Sequence, residues 1–201
     1  QDVVTRAESD ITGYSSALGA IDNFTEEDWA KYDLRYTFEV YPAGDNGSGT
    51  PIANTRQVKT INRFNKDKDV YFNVRLTPNK TYKFVVFADF VNQGESDDLY
   101  YNIADLRNIT AIDGKISPMD EARDAYFATE KKKITSHLEK SIELKRPFGK
   151  LRVVTTDYEY VENYAAPAKA KVTYYNCEIF KSLNAVNGTI STARTAKELT
   201  F

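Results

Sequence analysis

Leu34-Arg35-Tyr36-Thr37-Phe38-Glu39-Val40 carries an apolar side chain at every second position, with Arg35, Thr37 and Glu39 filling the gaps. Successive side chains of a strand point to opposite faces. A period of two therefore reads as β, with Leu34, Tyr36, Phe38 and Val40 on a buried face and the polar three on a wet one. Further on, Val70, Phe72, Val74 and Leu76 alternate with Tyr71, Asn73 and Arg75, which predicts a second strand of the same kind. The turn from Leu76 to Tyr82 leads into the most apolar run of the chain, Tyr82 to Val91, with large groups on both faces beyond Phe84. A strand buried on both sides lies inside a sheet and is covered above and below. The expected core joins Tyr36, Phe38, Phe72 and Val74, with Phe84 and Val86 in the central strand.

Outward from these segments the punctuation is that of a β protein. Pro42 to Pro51 is dense in turn formers and reads as an exposed loop, and Val58 to Ile61 as a weak strand. Asn92 to Asp98 is a loop, and residues 99–130 are the least strand-like, with a helical turn expected over Pro118 to Ala128. Strand patterning resumes at Ser141 to Leu144, breaks at Arg146-Pro147, and returns at Lys150 to Thr156 and Ala170 to Tyr175. A loop is expected around Asn187-Gly188, and Glu198 to Phe201 reads as the start of another strand. Ahead of all this, residues 1–28 read as a polar tail or tether. It ends in a helical turn whose N-cap is Thr25 and whose first turn is acidic at Glu26, Glu27 and Asp28. About seven short strands with little helix make residues 29–201 an all-β sandwich, with the start of a truncated second sandwich considered near 146. The 14 Tyr and 11 Phe, against one Trp and one Met, agree, because aromatic rings suit a pleated half-buried surface.

A reaction centre is harder to find. A Ser-His-Asp or Cys-His device needs an imidazole, and the single histidine, His137, lies in a Lys-rich stretch that reads as surface. There is no Gly-x-Ser-x-Gly, and Gly44, Gly47 and Gly49 belong to a hydrophilic loop, not to a phosphate cradle before a helix. One His and one Cys do not make an ordinary zinc site. Glu95 with Asp97-Asp98, and the Asp45-x-Gly47 fragment, read as solvated acidic loops in preference to calcium sites. Cys177 is the only cysteine, which excludes an internal disulfide. It reads as a small, partly buried residue and not as a nucleophile. Paired carboxylates of a glycosidase have no motif to promote them. Charge excludes little else: 27 basic against 29 acidic residues give −2, and Lys131-Lys132-Lys133 beside Glu130 reads as a solvated cluster, so no nucleic-acid role follows. Asn-x-Ser/Thr triplets at Asn23, Asn46, Asn79, Asn108 and Asn187 arise readily in such a composition. No catalytic, cofactor-binding or metal-binding residue is assigned. No stretch approaches the ~20 apolar residues of a membrane span. The chain starts at Gln1, and the expectation is that an export signal has been removed.

Three stretches resemble a known family. Trp29 to Tyr41 is similar to the first core strand of Bacteroidales fimbrillin-like (Mfa-type) surface lipoproteins. Leu76 to Asp89 resembles their turn, Tyr and apolar strand ending in Phe-Ala-Asp. Leu144-Lys145-Arg146-Pro147-Phe148-Gly149-Lys150-Leu151-Arg152-Val153 resembles their Arg-Pro-Phe-Ala-Lys-Leu strand, and Asp124 to Ala128 an Asp-Ala-Phe segment. The resemblance runs from Trp29 to about Gly188. It implies a transthyretin-like sandwich, a lipoprotein signal, a surface-exposed outer-membrane location, and cell adhesion or fimbrium assembly as subunit, anchor or adhesin. Such proteins usually have two sandwiches and a lipid-bearing N-terminal cysteine; a chain starting just after that cysteine is expected here. A single sandwich favours an anchor or adhesin over a shaft subunit.

The resemblance also implies partners: other pilus or surface proteins joined by strand addition, or host or glycan ligands, with the membrane held through an N-terminal lipid. Polymerising members of the family mature by cleavage after a basic residue. Arg6, the only Arg ahead of Arg35, is the candidate position, against the plainer reading of a tether. The function expected is therefore a non-catalytic structural or adhesive surface protein. The alternative is a glycan-binding lipoprotein of a polysaccharide-uptake system, which a row of exposed aromatic rings would favour, and a glycosidase would need a deep acidic cleft.

Overall fold

The computed structural model of the chain describes residues 24–44, 46–62, 70–115, 120–135, 141–147, 149 and 171–200. Arg6, Asn23, Asp45, His137 and the expected strand Lys150 to Thr156, with most of the region where a second sandwich was considered, lie outside these residues. The described part is an all-β sandwich of two four-stranded antiparallel sheets. The first contains β1 (Tyr32–Pro42), β2 (Gln57–Ile61), β3 (Lys80–Asn92) and β6 (Ala125–Ile134), in the order β2-β1-β3-β6. The second contains β4 (Tyr101–Asn102), β5 (Ile109–Ala111), β7 (Lys171–Asn184) and β8 (Thr189–Thr200), in the order β4-β5-β7-β8. Among the described residues helix is limited to α1 (Glu26–Trp29) and a 3-10 turn at Glu121–Arg123.

β1 and β3 form where the alternation placed them, paired antiparallel with Tyr36 opposite Ala88 and Phe38 opposite Val86. One face of this pair carries Leu34, Tyr36, Phe38 and Val40, and it is the outer face of the first sheet. It is nonetheless buried, because α1 and residues 70–76 lie over it. Phe24 stacks on Phe90 with ring centroids 4.5 Å apart, and Phe72 stacks on Phe38 at 5.0 Å. The other face looks toward the second sheet, where Phe87 meets the edge of Tyr101. Every residue of β1 from Asp33 to Tyr41 is buried, so the expectation of a wet face at Arg35, Thr37 and Glu39 is corrected. β3 is central, as its two-sided apolar run requires, and it is buried from Val85 to Val91. α1 begins with the expected cap: Thr25 and Asp28 exchange side chain to backbone hydrogen bonds in a capping box.

Other expectations are corrected by ladder pairing. In Val70 to Leu76 odd and even residues alternate between exposed and half-buried as expected, but the segment belongs to no sheet. Its carbonyls at Asn73 and Tyr71 accept from the side chains of Gln57 and Lys59 on β2 instead of from a neighbouring backbone. Ser141 to Leu144 likewise alternates, with Ile142 and Leu144 buried, but it forms no strand, and the adjacent Lys145 makes an isolated bridge with Phe127 of β6. The helical turn expected over Pro118 to Ala128 shrinks to Glu121–Arg123. Ala125 opposite Asp89 then starts β6, because pairing with β3 offers each of these residues a cross-strand partner that one isolated helical turn lacks. β7 runs on past Tyr175 to Asn184, and Glu198 belongs to the end of β8, not to the start of a strand. The turn between them holds Asn187-Gly188 as expected, with Gly188 at φ +76°, where a Cβ would be strained.

Candidate functional site

The polar residues of β1 are paired across the sandwich interior. Arg35 stands opposite Asp89 in the β1–β3 register and donates to both its oxygens, Nε to Oδ1 at 2.9 Å and Nη2 to Oδ2 at 2.7 Å. Its Nη1 reaches the β3–β4 loop, donating to the Ser96 carbonyl at 2.6 Å and to Asp98 at 2.9 Å. Arg35 is 2% exposed and Asp89 0%. Two carboxylates share one guanidinium. Burial is the largest influence on the enclosed one and lifts Asp89 to about 6, while Arg35 draws it back down. Four residues along β1, Glu39 accepts from Tyr41 Oη at 2.5 Å and from Arg56 at 2.7 Å, and Arg56 also donates to the Ile103 carbonyl. Burial raises the Tyr41 hydroxyl well above its ordinary range, with the Glu39 contact adding to it. At the far edge Arg146 grips Asp124 and lies over the Tyr126 ring, its carbon 5.8 Å from the centroid, which ties residues 141–147 to β6.

These groups hold one another. Asp98, expected only as a solvated loop acid, is a structural partner of Arg35, and among the described residues no group of three or more His, Cys, Asp and Glu is placed to hold a metal ion. Lys131, Lys132 and Lys133 are exposed on β6. Cys177 lies on β7 opposite Thr195. Asn46, Asn79, Asn108 and Asn187 are exposed, and the side-chain amide of Asn187 donates to the Asn46 carbonyl, which helps dock the β1–β2 loop on the β7–β8 turn. The interior pairs were the residues that periodicity missed. Asp89 within an otherwise apolar run was their signal, because a buried carboxylate requires a cation or a proton.

Thr37, between Arg35 and Glu39, is the exception. Its Oγ1 is buried with no hydrogen-bond partner among the described residues. An unsatisfied hydroxyl costs about 1–3 kcal/mol of desolvation. Thr37→Val, which keeps the branched shape, is expected to leave stability unchanged or raise it by about 1 kcal/mol. A urea unfolding midpoint that drops by the equivalent of 1 kcal/mol or more would contradict this.

Strand edge is also present among the described residues. β5 pairs with Leu183 and Ser182 only, so β7 from Lys171 to Lys181 has β8 as its one strand neighbour among the described residues. Among the described residues β8 in turn pairs with β7 alone, and its side chains from Thr189 to Arg194 are exposed. A strand in this position presents a row of outward N–H and C=O groups. The hairpin also carries Tyr175, 79% exposed, in a bulge where Tyr175 and Asn176 together face Ala196, with Asn176 at φ +53°.

A family model described as "Family of unknown function (DUF6562)" matches residues 1–200. No curated protein and no solved structure matches the chain.

Proposed function

The chain belongs to the DUF6562 family of unknown function, and from there we propose that it is a non-catalytic structural or adhesive protein of the cell surface. The observation that carries this reading is the edge of β8, without a second strand neighbour among the described residues, beside a sandwich whose buried charges are paired with each other. Main-chain groups along such an edge give affinity to any strand laid against them, and the side chains that flank it give selectivity. The resemblance of Trp29–Tyr41, Leu76–Asp89 and Leu144–Val153 to fimbrillin-like lipoproteins supports the same reading. It adds a transthyretin-like topology, an outer-membrane location through an N-terminal lipid, and a role as fimbria-associated anchor or adhesin. Arg6 is the proposed maturation site, where cleavage would free the first residues of the chain.

A glycan-binding role is the second reading, favoured by the exposed rings of Tyr71 (67%) and Tyr175. Aromatic faces of this kind suit stacking on sugar rings.

Intact producing cells are expected to expose the protein to a membrane-impermeant amine reagent and to an added protease, and deletion of its gene should reduce attachment. The native N-terminus should read from Ala7 if Arg6 is processed and from an earlier residue if the segment is a tether. Purified protein should show no turnover of glycoside, ester or peptide substrates. Protection from both reagents in intact cells, or a turnover abolished by one Asp or Glu substitution, would overturn the surface reading. Polysaccharide binding lost in Tyr71→Ala or Tyr175→Ala would establish the glycan-binding one instead.

A further inference from the structure

In isolation Lys131-Lys132-Lys133 is a solvated run, but the pairing of β6 with β3 adds to it. Lys131 stands opposite Lys83, Lys132 opposite Tyr82, Lys133 opposite Thr81, and Lys80 opposite Ile134. The paired ends, residues 80–84 and 130–134, thus carry five lysines and one acid, Glu130. Lys80, Lys131, Lys132 and Lys133 are exposed. Lys83 is half-buried, and its Nζ donates to the Val186 carbonyl at 3.4 Å. Directly opposed residues hold their Cβ atoms about 5 Å apart, and like charges so placed destabilise a ladder. The Lys83–Lys131 pair is therefore a local conflict that a single exchange at position 131 would remove.

We infer that these paired strand ends bind an acidic polysaccharide, a flexible chain bearing sulfate or carboxylate groups. Proteins break a local rule of stability where a function requires it, and an anion laid over Lys83 and Lys131 neutralises their repulsion. Lysine amines act as point charges, which suits anionic groups spaced along a polymer without fixed geometry. Successive strand residues point to opposite faces. Lys131 and Lys133 share the face of Thr129, which donates to the Val186 carbonyl at 3.2 Å, while Lys132 and Lys80 lie on the other face. A membrane plane or a stiff duplex meets one face of a sheet, whereas a flexible polymer reaches both. Single-stranded nucleic acid is held by exposed rings as well as by charge. Tyr82, the ring set among these lysines, is buried, with its hydroxyl donating to the Thr77 carbonyl. Glu130 shares the face of Lys132 and is half-buried, so the face of Lys131 and Lys133 is the more basic of the two. The chain as a whole carries −2, and fields are screened within about 8 Å at physiological ionic strength, so attraction acts at contact with the cluster. This site goes beyond the glycan-binding reading above, which rests on the rings of Tyr71 and Tyr175, and is independent of it.

Equilibrium binding of the 201-residue chain to dextran sulfate and to polygalacturonate, with neutral dextran as control, tests it. Wild type should bind both acidic polymers and not the neutral one, and added salt should weaken binding steeply as counterions return to the polymer. Lys131→Glu should weaken it by roughly tenfold or more, since one positive charge is lost and a negative one gained. Lys80→Gln combined with Lys132→Gln should weaken it as well. The melting temperature of free Lys131→Glu should equal or exceed that of wild type, because its repulsion with Lys83 becomes an attraction. Loss of binding without loss of stability separates a ligand site from a structural role. Saturating dextran sulfate should raise the melting temperature of wild type and leave that of Lys131→Glu unchanged. Tyr71→Ala combined with Tyr175→Ala should bind the acidic polymers as wild type does. A wild type without affinity for either acidic polymer, or binding that Lys131→Glu leaves intact, would overturn this site while leaving the surface function standing. Tighter binding to duplex DNA or to phosphatidylglycerol vesicles than to either polysaccharide would overturn the choice of partner. Binding through these lysines in a protein that intact cells shelter from external reagents would sink the surface function and leave the site standing.

Discussion

Replacing Arg35 by methionine is expected to destabilise the fold by about 3–5 kcal/mol at neutral pH, the usual cost of stranding one member of a buried ion pair. The guanidinium makes two hydrogen bonds to Asp89, which is fully buried, and two more to the β3–β4 loop at Ser96 and Asp98. Removing it leaves a carboxylate in the sandwich interior and unties the loop. Urea midpoints should fall accordingly, and amide exchange should quicken over residues 93–99. Replacing both partners, as Arg35→Met with Asp89→Leu, should recover much of the loss, because a buried pair exchanged for apolar groups of similar volume is often neutral. A double variant as unstable as Arg35→Met alone would show that the loop contacts, and not the stranded charge, account for the cost.

The same carboxyl sets a pH dependence with a definite sign. Burial raises Asp89 from 3.8 in an unfolded chain to about 6 in the fold. The folded protein therefore holds this proton more tightly than the unfolded one. Its contribution is fully present below the unfolded value and is lost as pH rises through about 6, a change of about 3 kcal/mol. Asp89→Asn should abolish that component. Urea unfolding of both proteins at pH 4 and pH 7.5 isolates it as the difference between their pH slopes. Equal slopes, or a wild type that loses more stability than Asp89→Asn on acidification, would sink this assignment.

Phe90→Ala is the second large effect, at about 3–5 kcal/mol. The ring is fully buried on β3, stacks on Phe24 at 4.5 Å and lies 6.3 Å from Trp29. It is the anchor by which α1 covers the outer face of the first sheet. A helix of one turn has no stability of its own and depends on such packing. The truncation leaves a cavity and also loosens the cover, so the melting temperature should fall by roughly 10 °C in a protein of this size. Fluorescence of Trp29, the single tryptophan, should shift to the red at the same time. A fall in stability with unchanged tryptophan emission would mean that the cavity closes without releasing α1.

Residues in immediate sequence determined a good part of this protein on their own. The alternation at Leu34 to Val40 and the two-sided run from Phe84 to Val91 gave β1 and β3. Thr25 with Asp28 gave the cap of α1, and Asn187-Gly188 gave the β7–β8 turn. Each of these is a short-range matter: a side-chain period, a cap three residues long, or a backbone angle that glycine tolerates. What the tertiary structure decided was partnership. The period of Val70 to Leu76 reports which side chains are covered, but whether the backbone joins a ladder depends on the strand beside it, and β2 offers side chains there instead. Residues 125–134 have a β-strand's fate because β3 lies next to them. The second face of β1 is the clearest case. Arg35, Thr37 and Glu39 look solvent-bound in isolation and become interior because a second sheet packs over them. Asp89, 54 positions along the chain, supplies the countercharge that makes burying Arg35 feasible. Burial pattern is a property of one segment, whereas hydrogen-bond pairing and charge neutralisation are properties of two, brought together only when the chain closes on itself.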